Sequence, residues 1–147
     1  MQLNKFSDYA LRILMYVSAT RSTPYTIAEI AENLQVSQNH LVKIVHFMAK
    51  QNWIITTRGK GGGICLNPAS LNARLGDLLR VLEGDQPIVD CNSPPCVLRS
   101  RCGLKGILNQ AHEQFYASLN QYSLGDVLAQ TANKSAALNS DIQFLSL

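Results

Sequence analysis

The sequence lacks an apolar run approaching the roughly 18 residues that a membrane span requires, and only 16% of its 147 residues are charged. Its opening, MQLNKFSDYALRILMYVSA, does not read as a secretory leader. Lys5, Asp8 and Arg12 interrupt the apolar residues, and no small-residue cleavage site follows. There is no C-x2-C knuckle of the structural zinc type. No GK[ST] phosphate loop, dinucleotide loop or paired nucleophile and base is present either, so the chain is not read as an enzyme. These absences set the expectation of a cytoplasmic protein, a setting in which structural disulfides are rare. Against that background the placement of four cysteines stands out, because three of them fall in DCNSPPCVLRSRC, residues 90–102. Clustered thiols in such a compartment point to metal, iron–sulfur or redox chemistry.

A hydrophobic fraction of 46% is ample for one compact domain, or a small domain with an arm. The net charge of +3 is unevenly spread. Residues 1–66 carry seven Lys/Arg against three Asp/Glu, and residues 67–147 carry six against seven. The basic excess therefore lies in the first half, where a nucleic-acid surface is expected. In that half, residues 8–19 have helical spacing, with Tyr9, Ile13, Tyr16 and Val17 in one stripe, Leu14 widening it, and Ser7 or Asp8 as cap. Thr26 and Glu29 have capping-box spacing ahead of a short helix whose inner face is Ile27, Ile30, Ala31 and Leu34. Gln35 and Val36 make a tight connection, and Ser37 caps a second helix with Leu41, Ile44, Val45 and Met48 facing inward. Two helices joined so tightly form a helix-turn-helix. The second helix presents Ser37, Gln38, Asn39, His40 and Lys43 near its N-terminus, where side chains meet base edges. Two β-rich runs follow, Trp53–Thr57 and Ile64–Leu66, around a glycine-rich basic turn. This is a wing, with Arg58, Lys60, Gly61 and Gly62 suited to a phosphate backbone or minor groove.

In the second half, residues 75–83 read as a helix stopped by Gly84. A longer helix is expected from about Gly103 to Gln121. Its stripe of Leu104, Ile107, Leu108, Ala111, Phe115 and Leu119 needs a partner surface, most simply a second copy in a two-fold dimer. Ser123 with Asp126 marks a short last helix, and the tail from Thr131 is a candidate disordered segment. The predicted fold is mainly α: a winged helix-turn-helix DNA-binding domain with a two-stranded β wing over 1–84, a cysteine loop over 85–102, a long dimerisation helix with a short last helix over 103–130, and a tail over 131–147.

The thiol spacing is Cys91-x4-Cys96-x5-Cys102. A bacterial ferredoxin run would show C-x2-C-x2-C. Longer intervals can wrap a bulkier cluster, and Arg99 and Arg101 would offset the negative charge of thiolates and sulfides. A fourth ligand is missing from the loop. Cys65 is read as a small buried wing residue, leaving a carboxylate or a histidine; His112 is expected to be an exposed surface residue of the long helix, and His40 and His46 belong to the DNA-reading region.

QLNKFSDYALRILMY, VSQNHLVKIV, RGKGGGICL, LGDLLRVLE and the C-x4-C-x5-C triplet together resemble the bacterial iron–sulfur winged-helix repressors, and within them the nitric-oxide-sensing NsrR type. The resemblance runs from Met1 to about Asp126. The related IscR type has C-x5-C-x5-C with a histidine three residues on, where this chain has a shorter first interval and Lys105. The resemblance implies a homodimer with one [4Fe–4S] cluster per subunit, held by Cys91, Cys96, Cys102 and Asp8 of the partner subunit. It also implies a repressor on palindromic operator DNA that lets go when nitric oxide attacks the cluster. Two rival readings accompany it: a regulator sensing oxidants or iron status through a [2Fe–2S] cluster or bare thiols, and a small iron–sulfur electron carrier.

Overall fold

The computed structural model describes residues 2–144, with side chains to Lys134. Among the described residues, the chain forms six α-helices and a two-stranded antiparallel sheet. They divide into two compact units, residues 1–73 with 123–147 and residues 74–122.

In the first unit, α1 spans Lys5–Val17 and is capped by Asn4, whose side chain accepts the Ser7 N–H at 2.8 Å. The helix therefore starts three residues ahead of the expected Asp8, because Asn4 supplies the cap acceptor that had been assigned to Ser7 or Asp8. Ser7 instead turns inward and is fully buried, together with Ala10, Ile13, Leu14 and Val17. Tyr9 and Tyr16 flank that face half-buried. Helix α2 spans Ile27–Leu34 and α3 spans Gln38–Lys50. Gln35 between them adopts a left-handed conformation, φ 54°, that reverses the chain within three residues. Its N–H and that of Val36 bond back to Glu32 and Ala31 carbonyls, and Ser37 then caps α3 by accepting the His40 N–H at 3.3 Å. Leu41, Ile44, Val45 and Met48 are buried as expected, whereas Ile27 and Leu34 of α2 are only half-buried.

Strands β1 (Ile54–Thr57) and β2 (Gly63–Leu66) pair with Ile54 opposite Leu66 and Thr57 opposite Gly63. The wing is anchored at its base. Ile64 exchanges two backbone hydrogen bonds with Tyr25, of 2.7 and 2.9 Å, and a Cβ on Gly63 would lie 2.5 Å from the Tyr25 carbonyl oxygen. Only glycine permits that approach. After a short 3-10 turn at Pro68–Asn72, the unit is completed by α6, Leu124–Phe144, where Leu124 is buried and donates its N–H to the Ala73 carbonyl. Ser123 and Asp126 close the capping box expected there, with Asp126 N–H on the Ser123 hydroxyl and Ser123 N–H on the Asp126 carboxylate. The last helix is much longer than expected. The segment from Thr131, expected as a candidate disordered tail, continues it to Phe144, in keeping with the helix propensity of its four alanines between 129 and 137. The rest of that tail, 145–147, lies outside the described residues.

The second unit pairs α4 (Leu75–Glu83) with α5 (Leu104–Leu119). Leu78, Leu79, Leu82 and Tyr116 are buried. Gly76 lets α4 meet α5 closely, since a Cβ there would sit 2.3 Å from the Tyr116 carbonyl oxygen. The Asn120 side chain accepts the Asp77 N–H at 3.0 Å and donates to the Asp77 carboxylate at 2.8 Å. Gly84 ends α4 in a left-handed conformation, φ 79°.

Candidate nucleic-acid interface and cysteine loop

The outward face of α3 carries Gln38, Asn39, Val42, Lys43 and His46, all exposed, with Ser37 at its cap. His40 differs from the other expected readers. It is half-buried and meets the Tyr9 ring edge-on, with centroids 5.9 Å apart. Part of its surface is thus committed to α1. The helix has no acidic residue along its length, so nothing on it repels a polyanion. His46 belongs to the region expected to read DNA, whereas Val42 is not among the contacts that the polar pattern at the helix start predicts. Their signal was the 3.6-residue spacing from Gln38 and Asn39, which keeps all four on one face.

At the wing tip Arg58, Lys60 and Gly61 are exposed. Gly59 and Gly61 have φ values of 94° and 81°, so the turn depends on glycine's freedom in the left-handed region. Gly62 is half-buried, and a Cβ there would strike the Thr57 carbonyl oxygen at 2.3 Å. Its N–H also closes the turn on the Gly59 carbonyl at 3.0 Å. A cleft of about 400 Å3 opens between α3 and the wing, with Val42, Val45, His46, Ala49, Thr57 and Arg58 among its lining residues.

The predicted ligands fall in both units. Asp8, in the first turn of α1, pairs with Arg12 one turn later at 2.9 Å. That hydrogen bond raises the pKa of the Arg12 guanidinium. Cys91, Cys96 and Cys102 lie in the irregular segment of the second unit, all as free thiols. Cys91 and Cys102 are half-buried and Cys96 is exposed. The Cys96 N–H bonds to the Cys91 carbonyl at 3.2 Å, and the Arg99 N–H to the Cys96 carbonyl at 3.1 Å. Asp90 turns the chain around the first thiol by accepting the N–H groups of Asn92 and Ser93. Val97 stands 90% exposed at the loop's tip.

Among the described residues, no three His, Cys, Asp or Glu side chains converge as they would on one metal ion. The donor set fits a larger sulfur-bridged group in its chemistry: three soft thiols, none consumed by a disulfide, in a segment with few backbone ties of its own. Cys65, expected to be a buried wing residue, is exposed. Its position in β2 alternates with that of Ile64, which takes the inward side. His112, expected to be an exposed surface residue, is half-buried instead because its ring packs against Tyr116, with centroids 4.8 Å apart.

Arg80 ties the entry of the cysteine segment, at Asp85, to the middle of α5, at Glu113. Its guanidinium donates to Asp85 at 2.7 Å and to Glu113 at 2.8 and 3.1 Å, and it lies 4.2 Å from the centre of the Tyr116 ring. Hydrogen bonding from Arg80 holds the Glu113 carboxyl below the usual range. Of the expected dimerisation stripe, Leu104, Ile107 and Ala111 are exposed, and Leu108, Phe115 and Leu119 half-buried. Tyr116, outside that stripe, is the buried residue of α5.

Comparison with known proteins agrees with this arrangement. A family model described as Rrf2, iron-dependent transcriptional regulator, matches residues 3–130. The chain is 36% identical over 132 residues to the HTH-type transcriptional regulator NsrR of Bacillus subtilis, covering 87% of this chain and 90% of that protein. It is 37% identical, with the same coverage, to the NsrR regulator of Oceanobacillus iheyensis. Among solved structures, oxidized Staphylococcus aureus CymR superposes with a TM-score of 0.67 at 20% identity, covering 87% of this chain and 96% of that one. The IscR of T. potens gives 0.65 at 20% identity, covering 89% and 88%. With its helix-turn-helix, basic wing and family match over most of its length, the chain belongs to the Rrf2 family of iron-dependent transcriptional regulators and is a DNA-binding regulator rather than an enzyme.

Proposed function

We propose that the chain is a cytoplasmic, homodimeric repressor that senses nitric oxide through an iron–sulfur cluster. The observation that carries the reading is the triplet of free thiols in one loop of a chain related to NsrR regulators. Cys91, Cys96 and Cys102 would hold the cluster, of the [4Fe–4S] type, with Asp8 of the partner subunit as fourth ligand. When bound, the cluster supplies iron sites that react with nitric oxide. A carboxylate is a harder, weaker ligand than thiolate for iron in such a group, which makes the Asp8 position the labile one.

Asp8 has an alternative partner at hand. Its carboxylate already pairs with Arg12 of the same helix, so away from iron it would keep a counter-charge. Release would also untie α1 from the cysteine loop of the other copy. The operator-reading residues, Ser37, Gln38, Asn39, His40 and Lys43 on α3 and Arg58, Lys60, Gly61 and Gly62 on the wing, would then lose their fixed spacing from the second copy's set. Two recognition helices must stand about 34 Å apart, one DNA turn, to read a palindrome. A differential of only about 1.4 kcal/mol lowers affinity tenfold. The exposed Leu104, Ile107 and Ala111, with Leu108, Phe115 and Leu119 beside them, supply the apolar surface for pairing.

The test is anaerobic purification with iron and sulfide analysis, visible spectroscopy and operator binding, before and after nitric oxide. The expected result is a coloured protein with four irons per chain whose operator affinity falls on exposure, and a Cys96→Ala variant that neither colours nor responds. An iron-free protein after attempted reconstitution would refute the reading. Two irons per chain, with oxidant-dependent rather than nitric-oxide-dependent release, would favour the redox or iron-status alternative.

A further inference from the structure

The geometry points to Val42 as a residue that reads DNA sequence through the C5-methyl group of thymine. This rests on α3 being the base-reading helix, as proposed above. Gln38 and Asn39 lie one turn before Val42 and His46 one turn after it, all four exposed on the same face of α3. Val42 is 51% exposed in the middle of that polar face. An isolated exposed aliphatic residue needs no explanation on most surfaces, but three features set this one apart.

The first is conformational. A β-branched residue is a poor choice for an exposed helix position, where Ala, Glu or Lys would favour the helix more. Its stiffness becomes useful if two methyl groups must be presented in one fixed orientation. The second is its setting. Val42 lines the cleft between α3 and the wing with Val45 and Ala49, and Arg58 sits in the same lining. An apolar wall beside a cation suits the edge of a major groove, where a thymine methyl projects near the phosphate backbone. The third is electrostatic. No acidic residue lies on α3, while Lys43, Arg58 and Lys60 are all exposed. Such a face suits a polyanion, and thymine's methyl is the apolar group that DNA displays in the major groove.

Duplexes selected from a random-sequence pool by the full-length chain provide the probe. Each thymine of the selected consensus is then replaced by uracil, which removes the C5-methyl and nothing else. At one symmetry-related pair of positions, the replacement should weaken binding by about fourfold per half-site, the value of one methyl-sized apolar contact. Val42→Ala should bind the unmodified duplex correspondingly less well and show no response to uracil at that pair. Its melting temperature should be unchanged or slightly raised, since Ala favours the helix. Identical uracil profiles for the wild type and Val42→Ala overturn the proposal.

Lys43→Ala, measured alongside, separates this failure from failure of the interface. If Lys43→Ala weakens every duplex while Val42→Ala weakens none, the methyl contact is wrong and the α3 interface stands. If neither variant alters binding, or the chain selects no sequence, the α3 face is not the interface and both readings fall.

Discussion

The two compact units treat apolar side chains in opposite ways. In the first unit, α3 buries four residues in thirteen: Leu41, Ile44, Val45 and Met48. In the second, α5 is three residues longer and buries only Tyr116, while Leu104 and Ile107 stand 59% and 66% exposed. The first unit closes its own core around α1, α3 and the base of the wing. The second relies on a small leucine cluster from α4 and on polar ties: Arg80 to Asp85 and Glu113, and Asp77 to Asn120. The first is built as a platform that holds a reading surface in shape. The second leaves an apolar helix face uncovered next to a thiol-bearing loop, which is what a surface for a second copy and an inorganic group would require.

The sharpest way to break this comparison is to truncate one isoleucine in each unit. Ile44→Ala removes a fully buried side chain and should lower stability by about 2–5 kcal/mol in urea unfolding. Ile107→Ala, made at low protein concentration where assembly does not contribute, should stay within about 0.5 kcal/mol of the parent. Equal effects in monomeric protein would mean that α5 is covered within its own chain. At high concentration, Ile107→Glu should lower the sedimenting mass toward that of one chain and leave the melting of the first unit in place.

Next in size is the glycine contact that the second unit depends on. Gly76→Ala puts a methyl group 2.3 Å from the Tyr116 carbonyl oxygen and 2.5 Å from the Asn120 side chain. Helix propensity alone favours alanine by about 1 kcal/mol, so the sign of the outcome is diagnostic. The expected result is a net loss of about 1–3 kcal/mol, seen as earlier proteolysis within residues 74–122 and little change in exchange protection of α3. A stabilised variant would show that α4 and α5 are not held at this distance.

These contrasts also show what was legible in the sequence. The first unit was readable because its signals are local and redundant. Thr26, Ser37 and Gly84 each cap a helix where expected, and the inward residues of α3 follow one spacing. The start of α1 differs from expectation because its cap comes from Asn4, ahead of the Ser7 and Asp8 that the sequence pattern offers. The Asn4 side chain reaches the third N–H along. Cys65 was misjudged because a cysteine's preference for burial carries less weight than strand alternation beside Ile64. In the second unit, the apolar stripe of α5 was visible, but Tyr116 as its inward residue was not. That choice depends on Gly76 and Arg80, which lie more than thirty residues away. The proposed ligand set is half legible. The thiol triplet is a spacing pattern, whereas nothing local distinguishes Asp8 from an ordinary first-turn acid paired with Arg12.

A smaller effect is expected at the turn of the helix-turn-helix. Gln35 adopts φ 54° at the end of α2, a conformation that costs a side-chain-bearing residue about 1 kcal/mol. Gln35→Gly should therefore raise the stability of the first unit by up to about 1 kcal/mol and leave operator affinity unchanged. A loss of stability would mean that the glutamine side chain holds the turn.

The smallest expected effect is acid loosening, and it bears on the comparison most directly. Glu29 and Glu113 each accept hydrogen bonds from an arginine, Arg21 and Arg80 respectively, and both carboxyls are held below the ordinary value of 4.5. A depressed folded-state pKa contributes stability above the unfolded value and loses it as pH falls through the folded one. Both contributions are therefore present at neutral pH and disappear on acidification below about 4.5. Both pairs are solvent-facing, so each counts for little in itself and is weakened by salt. Their consequences should nevertheless differ. Arg21–Glu29 joins a loop to a helix already fixed by a buried core. Arg80–Glu113 joins the two helices of the unit with few other ties, and the same guanidinium holds Asp85 at the entry of the cysteine loop. Hydrogen exchange followed from neutral pH to about pH 3.5, corrected for intrinsic rates, should therefore show residues 80–116 losing protection before α2 does. Arg80→Gln should remove the pH dependence in that segment alone. If α2 loosens first, the first unit is the weaker of the two, and the view of it as a rigid reading platform does not survive.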